Sequence, residues 1–302
     1  MKKIVKMESI TQVHDLLGLP KPKHPLVSVI PIDKNMTQMD FGDYTYVLEF
    51  FQISLKSGIK GELTYGRNPY DFEEGSMIFM QPGQTLKVDS NEEMEEGSGW
   101  TLIFHPDLIA KSNLGNGIED YSFFSYEVNE SLHLSDDEKV TVTDLVNKIE
   151  REYNQNIDKH SQKLIISNIE LILDYCTRYY DRQFYTRTNL NQDHITKFEN
   201  LLKQYFKDGK QLEEGIPPIS YFGDLMNMSP YYLSDLLKKE TGIGASEHIH
   251  QYIINRAKIS LLSTNDPISQ IAYDLGFDYP QHFTKVFKKK IGMSPVEYRK
   301  SA

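Results

Sequence analysis

The chain has 302 residues, 39% hydrophobic and 25% charged, which is the composition of a soluble globular protein long enough for two cores of ordinary size. Its formal net charge is −10, and its one cysteine, Cys176, excludes an internal disulfide and fits a reducing compartment. Lys6 and Glu8 interrupt any apolar core of a signal peptide, and no run approaches the eighteen or so apolar residues of a membrane span, so a cytoplasmic protein with no membrane partner is expected.

Strand signals dominate the first half. Residues 44–55 are rich in β-branched and aromatic side chains and stop at Lys56-Ser57-Gly58, which predicts one strand. Shorter runs at 61–66 and 76–80 are bounded by turn residues, Gln81-Pro82-Gly83-Gln84 is a turn, and 100–104 is a further buried strand. Short strands at this spacing predict a sandwich or barrel. Tyr44, Tyr46, Phe50, Phe51 and Tyr65 suit an ordinary core or the lining of an apolar ligand pocket, and both readings stay open here.

The period changes near Ser135. Ser135-Asp136-Asp137-Glu138 has the form of a capping box, and Val142, Leu145, Val146, Ile149 and Tyr153 follow at helical spacing. A second helix carries Leu164, Ile165, Ile169, Ile172, Leu173 and Cys176 on a stripe wider than one packed face needs. Two readings stand. Both helices cover the barrel, or the second pairs with its copy in a homodimer through Leu164, Ile165, Ile169, Ile172 and Leu173. The polar run at 186–194 predicts a linker between a domain of residues 1–185 and one of residues 195–302.

Charge divides in the same place. Residues 193–302 hold 14 Lys and Arg against 13 Asp and Glu, whereas 1–192 hold 19 against 30. Within 281–302, Lys285, Lys288, Lys289, Lys290, Arg299 and Lys300 stand against Glu297 alone. An acidic companion domain weakens non-specific attraction to a polyanion without forbidding a local cationic site.

Two segments of the last hundred residues repeat each other. Pro230, Leu233, Leu237, Lys238, Lys239 and Gly242 recur fifty residues later as Pro280, Phe283, Phe287, Lys288, Lys289 and Gly292, and Glu247 and His248 answer to Glu297 and Tyr298. Upstream the offset falls to forty-nine, pairing Phe222-Gly223 with Ile271-Ala272, so the second copy has one extra residue in its turn. Each copy reads as a helix-turn-helix. In the second, Ile268, Ile271, Ala272 and Leu275 share a face, Gly276 supplies a positive-φ turn and Phe277 plugs the core. A helix over 280–290 then buries Phe283, Val286 and Phe287 and leaves Gln281, His282, Thr284, Lys285 and Lys288 outside. In the first copy Ser229 caps a helix with Pro230 at its first position. Leu233, Leu236 and Leu237 face inward there, and Tyr231, Tyr232, Ser234, Asp235 and Lys238 face outward. A helix over 246–263, with Ile249, Ile253, Ala257 and Leu261 on one stripe, joins the copies across roughly 25 Å.

The stretch 268–299, with Ile268-Ser269-Gln270-Ile271-Ala272-Tyr273-Asp274-Leu275-Gly276-Phe277 at its start and Gly292-Met293-Ser294-Pro295 near its end, resembles the signature of the AraC/XylS transcription regulators. With the first copy, the resemblance covers about the last hundred residues. Residues 74–83 resemble the cupin-like sensing and dimerising domain of the same family. The fold this implies is α+β with two domains: an N-terminal cupin-like β-barrel with two following helices, then an all-α domain with two helix-turn-helix motifs. The function it implies is a sequence-specific DNA-binding regulator, by family habit an activator, with double-stranded DNA, RNA polymerase and a small-molecule effector as partners. In that family the second helix of each motif reads the major groove, at positions matching 231–238 and 281–288 here. Lys285, Lys288, Lys289 and Arg299 are accordingly expected on phosphates, with Lys238 on the same surface. Gln281, His282 and Thr284 in one motif, and Tyr231, Tyr232, Ser234 and Asp235 in the other, are expected at base edges. Three positions depart from the family pattern. Asp235 stands where Arg or Lys is frequent, Gly244-Ala245 replaces the Ser-Pro that Ser294-Pro295 retains, and Thr85-Leu86 stands where many sensing cupins have histidine.

Two other classes compete. A metal-dependent cupin enzyme needs clustered histidines and a carboxylate, whereas His14, His24, His105, His133 and His160 are widely separated in sequence. His248 and His250, two apart on a helix, point different ways. No catalytic residue, metal or cofactor is expected. The other class is a DNA-binding regulator with no ligand, controlled by its abundance or by a protein partner.

Overall fold

The computed structural model describes residues 3–32, 44–57, 75–86, 98–126, 130–155, 157–186 and 188–300. It divides into two compact units, Met1–Thr186 and Arg187–Ala302.

The first unit runs β1 (Lys3–Met7), α1 (Ile10–Leu16), β2 (Val27–Ile32), β3 (Tyr44–Leu48), β4 (Phe51–Ser57), β5 (Ser76–Met80), β6 (Thr85–Leu86), β7 (Ser98–Phe104), α2 (Pro106–Ile109), α3 (Asn113–Gly117), β8 (Leu132–His133), α4 (Asp136–Asn154) and α5 (Ser161–Thr186). One sheet has the order β1-β3-β6, with β1 parallel to β3, and the other is antiparallel in the order β2-β7-β4-β5-β8. This is a β-rich N-terminal region, but among the described residues the strands do not close into the expected barrel.

The single strand expected over 44–55 is two strands that belong to different sheets. The chain turns at Glu49-Phe50, where the Glu49 N–H donates to the Met7 carbonyl at 3.0 Å and the Glu49 carboxylate meets Lys6 at 3.1 Å. Phe50 fills the corner at 1% exposure. A buried corner needs no polar punctuation, which is why the apolar run reads as continuous. The expected strand at 61–66 lies outside the described residues, as does Tyr65.

Ile30, Ile78, Met80 and Ile103 of the five-strand sheet pack with Met7, Ile10, Tyr46, Leu48 and Phe50 into one core. On the same sheet a buried polar chain runs from the Gln52 amide to Ser54 Oγ (3.0 Å) and on to Thr101 Oγ1 (3.0 Å). The helices reach other residues of the sheet. Trp100 Nε1 donates to Thr143 Oγ1 of α4 at 3.0 Å, Tyr153 of α4 accepts from the Val29 N–H at 3.1 Å, and the Cys176 thiol of α5 lies 3.8 Å from Met77 Sδ. The Ser135–Glu138 capping box is formed on both sides.

The wide stripe of α5 has a different use from the dimer contact considered above. Ile165, Ile169, Ile172 and Leu173 are all 0% exposed within this one unit, so they are not available to a second copy. Leu164 alone of the five is open, at 48%. The stripe is wide because α5 packs along α4 and also against β8 and α2, so three elements share its surface. No helix among the described residues is long and apolar enough to cross a membrane, and no group of three or more metal-binding side chains gathers among them.

The second unit is helical: α6 (Thr188–Lys207), α7 (Gln211–Glu214), α8 (Ile219–Met226), α9 (Pro230–Thr241), α10 (Ala245–Ser263), α11 (Ile268–Asp274), α12 (Pro280–Ile291) and α13 (Pro295–Lys300). Residues 188–194, expected within the polar linker, form the opening turns of α6, an amphipathic helix that buries Phe198, Leu202, Tyr205 and Phe206 further on. Side chains from both repeats share one hydrophobic cluster. Phe222, Leu233 and Leu237 from the first copy and Ile271, Ala272, Phe283 and Phe287 from the second meet Ile249, Ile253, Ala257 and Leu261 of α10. The two copies therefore share a common core, and neither has a separate interior.

Candidate nucleic-acid interface

Caps and left-handed turns set the limits of the helices in both copies. α9 is capped by Ser229, whose Oγ accepts from the Tyr232 N–H at 3.2 Å, with Pro230 at the first position where no donor is lost. Both α9 and α12 close on a left-handed glycine, Gly242 and Gly292, whose N–H groups return to the Lys238 and Lys288 carbonyls at 2.9 Å. The turn inside each motif also goes left-handed, at Asn227 (φ 55°) in the first and Gly276 (φ 88°) in the second. Gly276 has a second constraint: a Cβ there would lie 3.0 Å from the Gly215 carbonyl carbon and 3.1 Å from the Ile216 nitrogen.

One residue's difference in turn length explains Gly223. A Cβ on Gly223 would come within 2.6 Å of the Met228 carbonyl oxygen, whereas the matching place in the longer-turned copy holds Ala272. Helix propensity alone would make Gly223→Ala a gain of up to about 1 kcal/mol. The clash with backbone reverses the sign, and we expect a net loss of roughly 1–2 kcal/mol. Thermal melting settles it: a raised Tm would mean that the Met228 carbonyl yields freely.

On α12, Phe283 and Phe287 are fully buried and Val286 packs against the same core. Gln281, His282, Lys285, Lys288 and Lys289 are exposed on the opposite side, as their helical spacing requires. Gln281, Lys285 and Lys288 make one edge of that face, while His282 and Lys289 make the other. The His282 ring stands edge-on to Phe277 with centroids 5.6 Å apart, which restricts its orientation. Thr284 is half-buried and its hydroxyl donates to the Pro280 carbonyl at 3.0 Å, so its proton is already used within the helix.

The first motif presents less than the sequence led us to expect. Tyr231 is exposed at 56% and Lys238 is open, but Tyr232 is buried at 6%. Tyr232 lies one turn before Leu236 and beside Leu233, so it belongs to the inward arc of α9 and is not a base reader. Ser234 is half-buried, and its Oγ accepts from the Ala245 N–H at 3.3 Å. That bond fastens the start of α10 where the family pattern has Ser-Pro, and a Cβ on Gly244 would lie 2.7 Å from the same oxygen. Asp235 is half-buried on the outer side of α9.

Arg299 also has an inward role. Its Nε donates to the Leu261 carbonyl at 3.1 Å, tying α13 to the last turn of α10, and its Nη2 is buried. The guanidinium is therefore a C-terminal cap of the connecting helix and not the phosphate contact expected of it. The sequence showed only an arginine in a basic run, because a carbonyl thirty-eight residues away leaves no local pattern.

Lys290 is likewise committed. Its ammonium lies 2.6 Å from a Glu247 carboxylate oxygen, joining the last turn of α12 to the first turn of α10, where each charge also suits the helix dipole. The Lys290 hydrogen bond, followed by its charge, holds the Glu247 carboxyl below its ordinary value of 4.5. A depressed folded value gives stabilisation that is complete well above pH 4.5 and lost as pH falls through the folded value. The side chains are 29% and 32% exposed, so the contribution is at most about 1 kcal/mol. Glu247→Gln should lower the neutral-pH melting temperature slightly and flatten the acid limb of stability against pH. A variant with an unchanged acid limb would show that the pair contributes nothing.

Residues 223–301 match the family described as a helix-turn-helix domain. The arabinose operon regulatory protein of Escherichia coli (strain K12) is 38% identical over 72 residues, 24% of this chain and 25% of that protein. The uncharacterized HTH-type transcriptional regulator YfiF of Bacillus subtilis (strain 168) is 32% identical over 149 residues, 49% of this chain and 44% of that protein. YisR of the same organism, with the same description, is 29% identical over 99 residues, 33% of this chain and 32% of its own length. The match thus spans less than half of each of these relatives. Among solved structures, the C-terminal domain of AraT, a response regulator from Geobacillus stearothermophilus, is 30% identical and covers 35% of this chain and 84% of that one, with a TM-score of 0.31. The C-terminal part of this chain is a DNA-binding helix-turn-helix domain of the AraC type.

Proposed function

We propose that the whole chain is a cytoplasmic, sequence-specific transcription regulator, with no enzymatic activity, that places α9 and α12 in successive major grooves on one side of the duplex. The observation that carries this is the mounting of two like motifs on one core. α10 has 19 residues, roughly 28 Å of helix, and both outward helices share one core with it. The major groove returns every ~34 Å, and the proposed docking requires the two helices to stand about one such turn apart. The exposed cations set the division of labour: Lys285, Lys288 and Lys289 hold phosphates, and Gln281 and His282 read base edges. The first motif, reduced to Tyr231, Asp235 and Lys238, contributes fewer base contacts than the second.

Activation of transcription with RNA polymerase as partner, and a small-molecule effector in the N-terminal unit, complete the reading on the family resemblance of residues 268–299 alone. Homodimerisation belongs to it too. Leu164 and Leu171, seven residues apart on α5 and 48% and 43% exposed, offer the contact that the buried part of the stripe does not. Light scattering that finds only monomer at high concentration would remove the dimer.

The deciding experiment is selection of randomised duplex DNA by the full chain at moderate salt. Two enriched blocks about one helical turn apart are expected, with the stronger constraint in one of them. A single block would mean that α9 only positions the domain, and the absence of enrichment would sink sequence-specific binding.

A further inference from the structure

The second outward helix breaks a rule that the first keeps. α9 begins with a buried serine whose hydroxyl accepts a backbone N–H, whereas α12 begins with Tyr279, which makes no capping hydrogen bond. The His282 N–H already donates to the Tyr279 carbonyl at 2.9 Å, so a hydroxyl or carboxylate at position 279 would serve the Gln281 N–H. The chain forgoes it and holds a tyrosine at 70% exposure. Tyr279 has extended backbone (φ −131°, ψ 121°) and sits between the lengthened turn and Pro280, two residues before Gln281. Two local preferences are thus set aside at one residue, a missing cap and a large ring left in water, and that combination marks a contact made with something outside the chain.

We propose that Tyr279 is a specificity-determining residue of the second motif, its ring packing on the C5-methyl group of a thymine at the edge of the site that α12 reads. The proposal rests on α12 being the base-reading helix. It is the first residues of such a helix that approach base edges, and the thymine methyl is the apolar group that the major groove presents to them. The phenol ring supplies a matching apolar face. Lys285, Lys288 and Lys289, exposed further along the same helix, supply the phosphate contacts that fix its register.

The test uses the full chain and the duplex it selects from a randomised pool. Affinities of the wild type, Tyr279→Phe, Tyr279→Ser and Lys288→Ala are measured on that duplex and on copies in which each thymine in turn is replaced by uracil, which deletes only the methyl. One uracil copy should bind the wild type and Tyr279→Phe about fourfold more weakly, the worth of one buried methyl-sized group. Tyr279→Ser should bind the thymine and uracil copies alike, while its Tm rises by a few degrees because serine restores the cap. That opposite movement of stability and selectivity separates a contact from a structural role. A uracil penalty that persists in Tyr279→Ser, or that is missing in the wild type, overturns the proposal. If Lys288→Ala still weakens binding in either case, α12 remains on DNA and only the methyl contact is wrong. If no duplex is enriched, or Lys288→Ala leaves affinity unchanged, the reading of α12 fails and the proposal fails with it.

Discussion

Phe287→Ala should destabilise the C-terminal unit by about 3–5 kcal/mol, the usual cost of emptying a fully buried aromatic site. It should also abolish DNA binding by both motifs at once. Phe287 is 0% exposed, stacks at a tilt on Phe283 with centroids 5.7 Å apart, and meets Tyr298 edge-on at 5.5 Å. The common core makes the effect spread. Phe283 and Phe287 belong to the same cluster as Leu233, Leu237 and Phe222 of the first motif, with α10 between them. A cavity of this cost is a large part of the 5–15 kcal/mol that holds a typical domain together. Hydrogen exchange is the suitable readout. Protection should fall together in α8 and α9 as well as in α11 and α12, whereas loss confined to α11–α13 would show two motifs with separate stabilities.

The mechanical reason for that cooperativity also reaches the segment before the first motif. The Gln211 side-chain amide donates to the Asp274 carbonyl at 3.2 Å, and the Gly215 backbone packs against Gly276 in the turn of the second motif. Tyr205 of α6 fastens that segment through its hydroxyl to the Gly215 carbonyl at 3.0 Å. α6 itself packs on the near motif, with the Phe198 and Phe222 ring centroids 4.9 Å apart, and the segment that follows it reaches the far one.

How much of this was legible in the sequence depends on the range of the interaction. The helical repeat was readable because its signals are local: Ser229-Pro230, the two closing glycines and the inward triads each fall within a few residues. Gly276 was read for its positive φ, although the approach of Gly215 was invisible. Tyr232 was misplaced because Leu233, Leu236 and Leu237 already define an inward face, and the arc they leave open ends within one residue of the ring. Arg299 and Lys290 stand in a basic run whose one acidic residue is Glu297, and their partners, Leu261 and Glu247, are 38 and 43 residues away and leave no local pattern. In the N-terminal unit β1, α1 and β2 escaped notice, although Ser9 and Gln12 form a capping box that the sequence does spell out. The barrel and the α5 dimer stripe were inferences about what the apolar faces meet, and periodicity gives a face without its partner.

The exposed face of α12 leads to the second large expectation, a separation of roles between two neighbours on one helix edge. Gln281 and Lys288 are seven residues apart and both exposed, so both can reach the same stretch of groove. Gln281 carries an amide, which can pair with the N6 and N7 edge of adenine, and its loss should cost about 1–3 kcal/mol on the preferred sequence. The cost should nearly vanish on a duplex changed at that one base pair, so the preference there relaxes while the rest of the site is unaffected. Lys288 carries a charge with no base-specific geometry. Lys288→Ala should weaken preferred and random duplexes alike and reduce the slope of log affinity against log salt by about 1, one released counterion for one phosphate. Titrations of both variants on both duplexes over a range of salt concentrations distinguish the two behaviours. If Gln281→Ala changed the salt slope and spared sequence preference, or if Lys288→Ala relaxed a single base position, the two residues would have to exchange roles. The helix would then meet the groove with its C-terminal half, and Tyr279 would be carried away from the bases.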